Sequence, residues 1–162
     1  MLVLNVGGGG PGLFMEKSLE EIENQVTSNT IHPIYLLKQL LPQLLSRPHR
    51  SAVIFTSSIA AHRSLPGLIP YSSAKSAVTF LSTALSFELP TLDFLSYNPG
   101  EVQTNSVRLQ ASGKVVTAKS SVAACLRDLG REEVTNGCAR HELMAWFTVK
   151  LPGVVLFTIV GG

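Results

Sequence analysis

The sequence predicts an α/β fold in which helices flank a doubly wound parallel sheet, and two observations support this prediction. Short apolar runs alternate along the chain with longer segments of helical spacing, which is the order expected for parallel strands joined by helices. The composition, 45% hydrophobic and 15% charged over 162 residues, suits a single domain with a sizeable core.

Three apolar runs are predicted to be strands: residues 2–6, 52–55 and 92–97. The first is a short, mainly apolar run ended by glycines and is therefore expected to be a buried parallel strand. Glycines follow the first run, hydroxyl side chains follow the second, and Asn98, Pro99 and Gly100 follow the third. Ligands bind beyond the carboxyl ends of strands in such sheets, so the hydroxyl run is a candidate site.

The remaining segments predict four helices. Ser18 and Glu21 form a capping-box pattern that starts the first helix near Leu19. The other three are predicted at 31–47 with a kink or a fresh start at Pro33, at 74–87 before Pro90, and from a cap at Ser120 or Ser121 through Leu129 to a stop at Gly130.

Charge and cysteine content argue against several classes of function. The formal net charge of +2 is spread along the chain and is too small to predict nucleic-acid binding. Cys125 and Cys138 form no C-x-x-C pair and have no histidine at metal-ligand spacing, so neither a disulfide framework nor a metal site is predicted. Reduced thiols on the cytosolic side are the expected state.

The C-terminal segment, residues 143–162, is apolar but is interrupted by Lys150, Pro152 and Gly153. It is marginal for a membrane-spanning helix, and the lysine and the proline argue against a continuous one. Two interpretations stay open: a membrane-surface or hairpin-like anchor, and a buried terminal helix.

Residues 7–12, Gly-Gly-Gly-Gly-Pro-Gly, formally match the dinucleotide pattern G-x-G-x-x-G after a strand. That pattern needs its last glycine to open a helix at once, whereas this helix is predicted to start only near Ser18. No acidic residue ends a second strand about 20 residues later. The run is therefore interpreted as a plain loop, with a phosphate-binding loop as the weaker alternative.

Tyr71 and Lys75 are the strongest candidates for chemistry, because their i, i+4 spacing places both side chains on one helix face. An isolated phenol has a pKa of about 10, so proton exchange at neutral pH needs a neighbouring cation that favours the phenolate. Ser58 ends the second predicted strand and could hydrogen-bond a substrate carbonyl. The Y-x-x-x-K spacing alone is weak, and the ordered context of Ser58, the helix and Pro99-Gly100 strengthens it.

In this order the motifs resemble those of the classical short-chain dehydrogenases/reductases, from Leu2 to about Thr104. Leu4-Asn5-Val6-Gly7 resembles the family's Asn-Asn-Ala-Gly strand end, with Leu4 in place of the first asparagine. Ser58 precedes Tyr71 by thirteen residues, which is the usual family interval, and Asn29 lies thirteen residues before Pro42. Pro99-Gly100-x-Val102-x-Thr104 resembles the segment that holds the nicotinamide and the pyrophosphate.

The resemblance implies a role for each residue of the set. Tyr71 gives a proton to a carbonyl oxygen, and Lys75 holds the nicotinamide ribose and favours the phenolate. Ser58 orients the carbonyl, and Asn29 holds a water in a proton relay. The implied cofactor contacts are Asn5, Gly7, Tyr71, Lys75, Pro99, Gly100, Val102 and Thr104. Two alternatives stay open: Ser57 replaces Ser58 if the register shifts by one, or Asn29 is only a helix cap or an exposed polar residue.

Asn5-Val6-Gly7 and the segments 125–130, 135–137 and 141–143 resemble the branch of 17β-hydroxysteroid dehydrogenases and very-long-chain 3-oxoacyl-CoA reductases. That branch implies an NADP(H)-dependent reductase of 3-oxoacyl-CoA or steroid ketones, in fatty acid elongation or steroid metabolism. It also implies the cytosolic face of the endoplasmic reticulum membrane. The expected partners are an acyl-CoA or steroid substrate and a membrane surface, with a homodimer left open and no nucleic acid.

The family begins with a strand and a T-G-x-x-x-G-x-G turn for the adenosine end of the cofactor, whereas this chain begins at what resembles the fourth strand. Residues 1–142 are therefore predicted to form a partial, Rossmann-like catalytic domain, followed by the apolar segment 143–162. The first strand should have an open apolar edge, and the adenosine would lack its site. The rival hypothesis is a catalytically incompetent, membrane-associated fragment or paralogue.

Overall fold

The computed structural model describes residues 1–104 and 115–151, and it confirms the predicted alternation of strands and helices. The strands are β1 (Leu2–Leu4), β2 (Ala52–Thr56), β3 (Asp93–Tyr97), β4 (Val102–Gln103), β5 (Val116–Thr117) and β6 (Val134–Thr135). The α-helices are α1 (Leu19–Val26), α2 (His32–Leu45), α3 (Ile69–Glu88), α4 (Ala118–Asp128) and α5 (Ala139–Lys150). A π-helical turn, Thr27–Ile31, joins α1 to α2, and 3₁₀ turns occupy Phe14–Glu16 and Ile59–Ala61.

The main sheet is parallel and has the strand order β1-β2-β3-β6. In its register, Val53 of β2 pairs with Leu2 on one side and with Phe94 on the other. β4 and β5 form a separate two-stranded sheet. Because the main strands run in one direction, the segments that follow β1, β2 and β3 leave the sheet at the same edge.

Both faces of the main sheet are covered by helices, because successive side chains of a strand point to opposite faces. One face packs against α2 and α3 through a buried cluster: Leu4, Leu37, Leu44, Val53, Phe55, Val78, Leu92 and Phe94. The other face packs against α4 through Ile54, Leu95, Tyr97 and Cys125. The predicted doubly wound arrangement is confirmed.

Prolines shift two helix boundaries from those predicted. α3 begins at Ile69 rather than near Ala74, because Pro70 stands in its first turn, where the missing N–H leaves no helical bond unmade. Pro33 likewise stands in the first turn of α2 and starts that helix rather than bending it.

The helix caps confirm one prediction and correct another. The capping box of α1 is present, with Ser18 Oγ accepting from the N–H of Glu21 and the Glu21 carboxylate accepting from the N–H of Ser18 at 2.7 Å. The cap of α4 is Thr117, whose Oγ1 accepts from the N–H of Ser120 at 3.2 Å. The prediction of Ser120 or Ser121 as the cap is therefore wrong by a few residues.

β1 lies at an open edge of the sheet. The prediction of a buried strand at 2–6 is wrong, since the strand comprises only Leu2–Leu4, and Val3 and Val6 are 47% and 54% exposed. Within residues 1–104 and 115–151, no strand pairs with its outer edge. A cavity of about 390 Å³ beside it is lined mainly by apolar side chains of β1 and α2. The open apolar edge predicted for this strand is therefore present among the described residues.

α5 runs without interruption across the predicted boundary at residue 142. His141 and Ala145, on either side of it, are 1% and 5% exposed, so both halves of the helix pack against the domain. None of the helices in the described part of the chain is sufficiently long and apolar to span a bilayer. Residues 152–162 of the predicted C-terminal segment lie outside the described residues.

Candidate active site

Lys75 joins the ends of two strands at the carboxyl edge of the main sheet. Its side chain is almost fully buried, and its ammonium donates to the carbonyl oxygens of Thr56 (2.8 Å) and Val6 (3.3 Å). These bonds occupy two of the three N–H donors, which leaves one for another acceptor. Burial lowers the pKa of Lys75 from 10.5 to about 8, so the group stays largely charged at neutral pH.

Asn29 holds the glycine loop (residues 7–12) to the helices. It lies in the π-helical turn before α2 and is 1% exposed. Its Nδ2 donates to the carbonyl oxygens of Gly8 (2.9 Å) and Gln25 (2.7 Å), and its Oδ1 accepts from the N–H of Gly8 at 3.2 Å. These contacts exclude the alternative of an exposed polar residue or a simple cap. Single π-helical turns within helices are frequent at functional sites.

Tyr71 lies one turn before Lys75 on α3, and the lysine Nζ is 5.7 Å from the centre of its ring. The glycine loop lies against both side chains. A Cβ at position 7 would be 2.3 Å from the Nζ of Lys75, and a Cβ at position 9 would be 2.7 Å from the Cβ of Tyr71. Gly7 and Gly9 are therefore required by close approach to these two side chains.

The structure shows residues 7–12 as a loop that no helix follows directly, which favours the interpretation of a plain loop. The glycines lead into the 3₁₀ turn Phe14–Glu16, and α1 begins only at Leu19. No helix N-terminus therefore opens at the last glycine, as the dinucleotide pattern requires.

Gly9→Ala is expected to destabilise the protein by about 1–3 kcal/mol, which is the usual cost of overpacking. The new methyl group would collide with Tyr71 close to the backbone of α3, where rotation of the ring gives no relief. The matched control is Gly8→Ala, because a Cβ at position 8 meets no atom within 4 Å. Denaturant unfolding of both variants measures the difference, and equal stabilities would contradict the observed packing.

The two serines after β2 have different surroundings. Ser57 is buried, and its Oγ donates to the carbonyl oxygen of Lys75 at 2.9 Å and accepts from Thr79 Oγ1 at 2.8 Å. Ser58 is half-buried, and its Oγ accepts from the N–H of Ala60 at 3.2 Å. That bond uses only the oxygen of Ser58, so its hydroxyl hydrogen can be donated to a ligand.

Pro99 and Gly100 follow β3 at the same edge of the sheet. The carbonyl oxygen of Pro99 accepts from the N–H of Ile59 at 3.0 Å, which ties the turn after Ser58 to the end of β3. A Cβ at position 100 would be 2.8 Å from the imidazole ring of His141, so the histidine packs directly on the glycine.

Three predicted cofactor contacts have other surroundings. Asn5 is exposed and lines the cavity beside β1. Val102 pairs with Val116 in the small sheet, and Thr104 is exposed just before the segment that the structure leaves undescribed. The hydrogen bonds of Lys75 involve none of the three.

A buried polar network beneath the site was missed by sequence reasoning. Ser96 Oγ donates to Asn98 Oδ1 at 2.7 Å and lies 3.0 Å from Thr79 Oγ1, which in turn donates to Ser57. Asn98 is fully buried, and its Nδ2 has no hydrogen-bond partner among the described residues. The network links β2, α3 and β3 behind Ser58. Ser57 and Asn98 were noted in the sequence for other reasons, but Thr79 and Ser96 have no distinctive spacing, so the network itself could not be predicted.

The chain is similar in sequence to curated reductases and spans about a third to a half of their length. It is 34% identical over 92 residues to 17-beta-hydroxysteroid dehydrogenase 13 of Rattus norvegicus, covering 57% of this chain and 30% of that protein. It is 28% identical over 170 aligned positions to very-long-chain 3-oxoacyl-CoA reductase-A of Danio rerio, covering 99% of this chain and 52% of that protein.

Solved structures show the same fold. One, from work on 7beta-hydroxysteroid dehydrogenase stereoselectivity, has a TM-score of 0.83 at 17% identity and covers 99% of this chain and 65% of its own. A short-chain dehydrogenase from Burkholderia cenocepacia J2315 in complex with NADP has a TM-score of 0.81 at 20% identity and covers 98% of this chain and 69% of its own.

The sequence pattern of the family described as short chain dehydrogenase matches residues 1–124, which is more than half of the chain. The match includes the glycine loop, Asn29, both serines, Tyr71, Lys75 and the turn after β3. The chain therefore belongs to the short-chain dehydrogenase family of oxidoreductases.

Proposed function

We propose that this chain forms the catalytic half of an NADP(H)-dependent reductase of 3-oxoacyl-CoA or steroid ketones. The observation that carries the proposal is the packing of Asn29, Tyr71 and Lys75 around the glycine loop at the carboxyl edge of the sheet. The substrate classes are supported by the names of the relatives, and NADP(H) by a structural neighbour that binds NADP.

A nicotinamide cofactor fits the described residues at its nicotinamide end. The polar group available at that edge is the third N–H of Lys75. The Nδ2 of Asn98, which has no partner among the described residues, lies fully buried in the network beneath it. When bound, such a cofactor supplies a hydride to the carbonyl carbon. The sequence contains no T-G-x-x-x-G-x-G turn for the adenosine end, so the proposal requires that segment to be supplied together with the chain.

The chain's own residues would then act on the carbonyl oxygen. Tyr71 donates its phenolic proton to that oxygen, and the Lys75 cation beside the ring stabilises the phenolate that remains. Ser58 donates a hydrogen bond to the same oxygen and orients the carbonyl. Asn29 holds a water that returns a proton to the site.

Substitution of the two serines is expected to affect different properties, turnover for Ser58 and stability for Ser57. Ser58→Ala removes a hydrogen-bond donor to the reacting oxygen and is expected to lower kcat/KM for carbonyl reduction by about 10²–10³-fold. Ser57→Ala breaks the bond to the Lys75 carbonyl and is expected to cost about 1 kcal/mol of stability. Kinetics and denaturant unfolding of both variants measure the two effects. A larger loss of turnover in Ser57→Ala at full stability would favour the shifted register.

A membrane surface is the proposed location, at the endoplasmic reticulum. α5 exposes a group of large apolar side chains: Leu143, Trp146, Phe147 and Val149. Trp146 is the only tryptophan of the chain, so its fluorescence reports on this surface alone. Phospholipid vesicles are expected to shift its emission to shorter wavelength, and Leu143→Gln is expected to weaken this binding. No shift with the full chain would contradict membrane contact through α5.

The enzyme and the rival non-enzymatic fragment are distinguished by one experiment. The chain is assayed alone and after fusion behind the cofactor-binding half of a related reductase, with NADPH or NADH and with 3-oxoacyl-CoA or steroid ketones. Reduction by the fusion, faster with NADPH, is the expected result. A folded fusion that binds cofactor without turnover of either ketone class would favour the fragment. A T-G-x-x-x-G-x-G strand and turn encoded upstream of Met1 would supply the natural half.

A further inference from the structure

His62 links the segment after Ser58 to the region of α5, and none of the roles described above uses it. Its Nε2 lies 2.7 Å from the Oδ1 of Asn136, which precedes α5. Asn136 is buried, so the contact is shielded from water on that side. The two residues are 74 positions apart, and only the fold brings them together.

Glu142, in the first turn of α5, determines which way the Asn136 amide points. Its carboxylate accepts from the backbone N–H of Asn136 at 3.1 Å and from its Nδ2 at 2.9 Å. A carboxylate only accepts hydrogen bonds, so Nδ2 must face Glu142 and Oδ1 must face His62. The Nε2 of His62 must therefore carry a hydrogen and donate it.

Arg63 makes a second contact between the same two elements. Its Nη1 donates to the carbonyl oxygens of Thr148 (3.3 Å) and Val149 (3.0 Å), and also to that of Leu151. These carbonyls belong to the C-terminal end of α5, which lacks helical N–H partners and favours a positive charge.

The segment held in this way carries groups of the candidate site at its other end. It begins at Ser58 and continues through Ile59, whose N–H donates to the carbonyl oxygen of Pro99. α5 also contacts the turn after β3 directly, through the packing of His141 on Gly100. Both loops of the site are therefore supported from α5.

We propose that Asn136 and Glu142 are positioning residues that hold His62 as the Nε2–H donor and thereby fix the Ser58 segment against α5. The relevance of this contact to carbonyl chemistry rests on the function proposed above, whereas its geometry does not. In this arrangement α5 is part of the framework of the site as well as an exposed apolar surface.

The test uses the full chain and the variant Glu142→Gln, which keeps the size of the side chain but replaces one acceptor oxygen with an NH₂ donor. The backbone N–H of Asn136 cannot turn, so the glutamine oxygen must face it and the NH₂ must face the side-chain amide. The amide then turns over and presents Nδ2 to His62. His62 can accept that bond only with its hydrogen on Nδ1.

Long-range ¹H–¹⁵N spectra of the imidazole rings, recorded where His62 is neutral, distinguish the two tautomers. We expect the Nε2–H form in the unsubstituted chain and the Nδ1–H form in Glu142→Gln. Glu132→Gln changes an exposed carboxylate of the same region and is expected to leave the tautomer unchanged. If Glu142 contributed only to stability, without orienting the Asn136 amide, its substitution would leave the tautomer of His62 unchanged.

Amide hydrogen exchange provides the second measurement. Glu142→Ala removes both bonds to Asn136 and is expected to speed exchange of the Ile59 and His62 amides roughly tenfold, while Glu132→Ala leaves them unchanged. A change in tautomer or in exchange that is absent from the Glu132 variants supports the proposal. An Nδ1–H form in the unsubstituted chain, or unaltered tautomer and exchange in both Glu142 variants, overturns it. Neither measurement needs turnover, so failure of the proposed reductase is detected separately.

Discussion

Tyr71→Phe is expected to lower kcat/KM for carbonyl reduction by about 10²–10⁴-fold in the fusion that carries the cofactor-binding half. The substitution removes only the phenolic hydroxyl, which is the proposed proton donor. The ring itself remains, and with it the packing against Gly9 and the position 5.7 Å from the Lys75 ammonium. The loss should therefore appear in turnover and leave the stability of the chain nearly unchanged.

Tyr35→Phe is the matched control for this experiment. Tyr35 lies on α2, is 64% exposed and lines the cavity beside β1 rather than the candidate site. Removal of its hydroxyl is expected to leave turnover unchanged. Full activity in Tyr71→Phe would eliminate the proposed proton donor, and an equal loss in both variants would indicate general damage instead.

The contribution of Lys75 to the free energy of unfolding is expected to rise by about 3 kcal/mol between pH 8 and pH 10.5. Burial lowers its pKa from 10.5 to about 8, so within this interval the unfolded chain binds a proton that the folded chain does not. Stability rises with pH wherever the unfolded state binds more protons. The gain is complete above the pKa that Lys75 has in the unfolded chain. It is lost as the pH falls through the pKa that Lys75 has in the folded chain.

Lys75→Met isolates this effect when the difference in unfolding free energy between the two proteins is plotted against pH. Burial raises the pKa of Tyr97 and that of Cys125, the latter to about 11. The contribution of these two groups to the free energy of unfolding therefore falls as the pH rises. Their contribution is the same in both proteins and cancels in the difference. Lys38→Met, on the exposed surface of α2, is the matched control. A flat difference for Lys75→Met would contradict burial of its ammonium.

The open edge of β1 affects the conditions for both the turnover experiment on Tyr71→Phe and the stability experiment on Lys75→Met. Unpaired strand edges attract other strands, and this edge adjoins an apolar cavity of about 390 Å³. The chain alone is therefore expected to be more prone to association than the fusion, in which a further strand can cover that edge. Activity is best compared in the fusion, and stability in dilute solution.

Features that depend on neighbours along the chain were predictable from the sequence. The alternation of apolar runs and helical spacing determined the parallel sheet, and Ser18 with Glu21 determined where α1 begins. The spacing of Tyr71 and Lys75 placed both on one helix face because helix geometry relates residues four apart. The start of α1 at Leu19, well after the last glycine, was also predicted correctly.

The tertiary structure alone decided which of these residues meet, because the deciding contacts join positions far apart in sequence. Lys75 reaches the carbonyl of Val6 across 69 positions, and Asn29 reaches Gly8 across 21. Such contacts explain why positions 7 and 9 exclude a side chain. They also distinguish a buried Ser57 from a Ser58 that can donate to a ligand.

The sequence by itself thus determined the class of fold, the order of the strands along the chain and the family resemblance, since these follow from periodicity and local motifs. The surroundings of each site residue, and the contact of His62 with Asn136 and Glu142, were decided by packing. Packing depends on where elements meet in space, and no spacing within a single helix or strand contains that information.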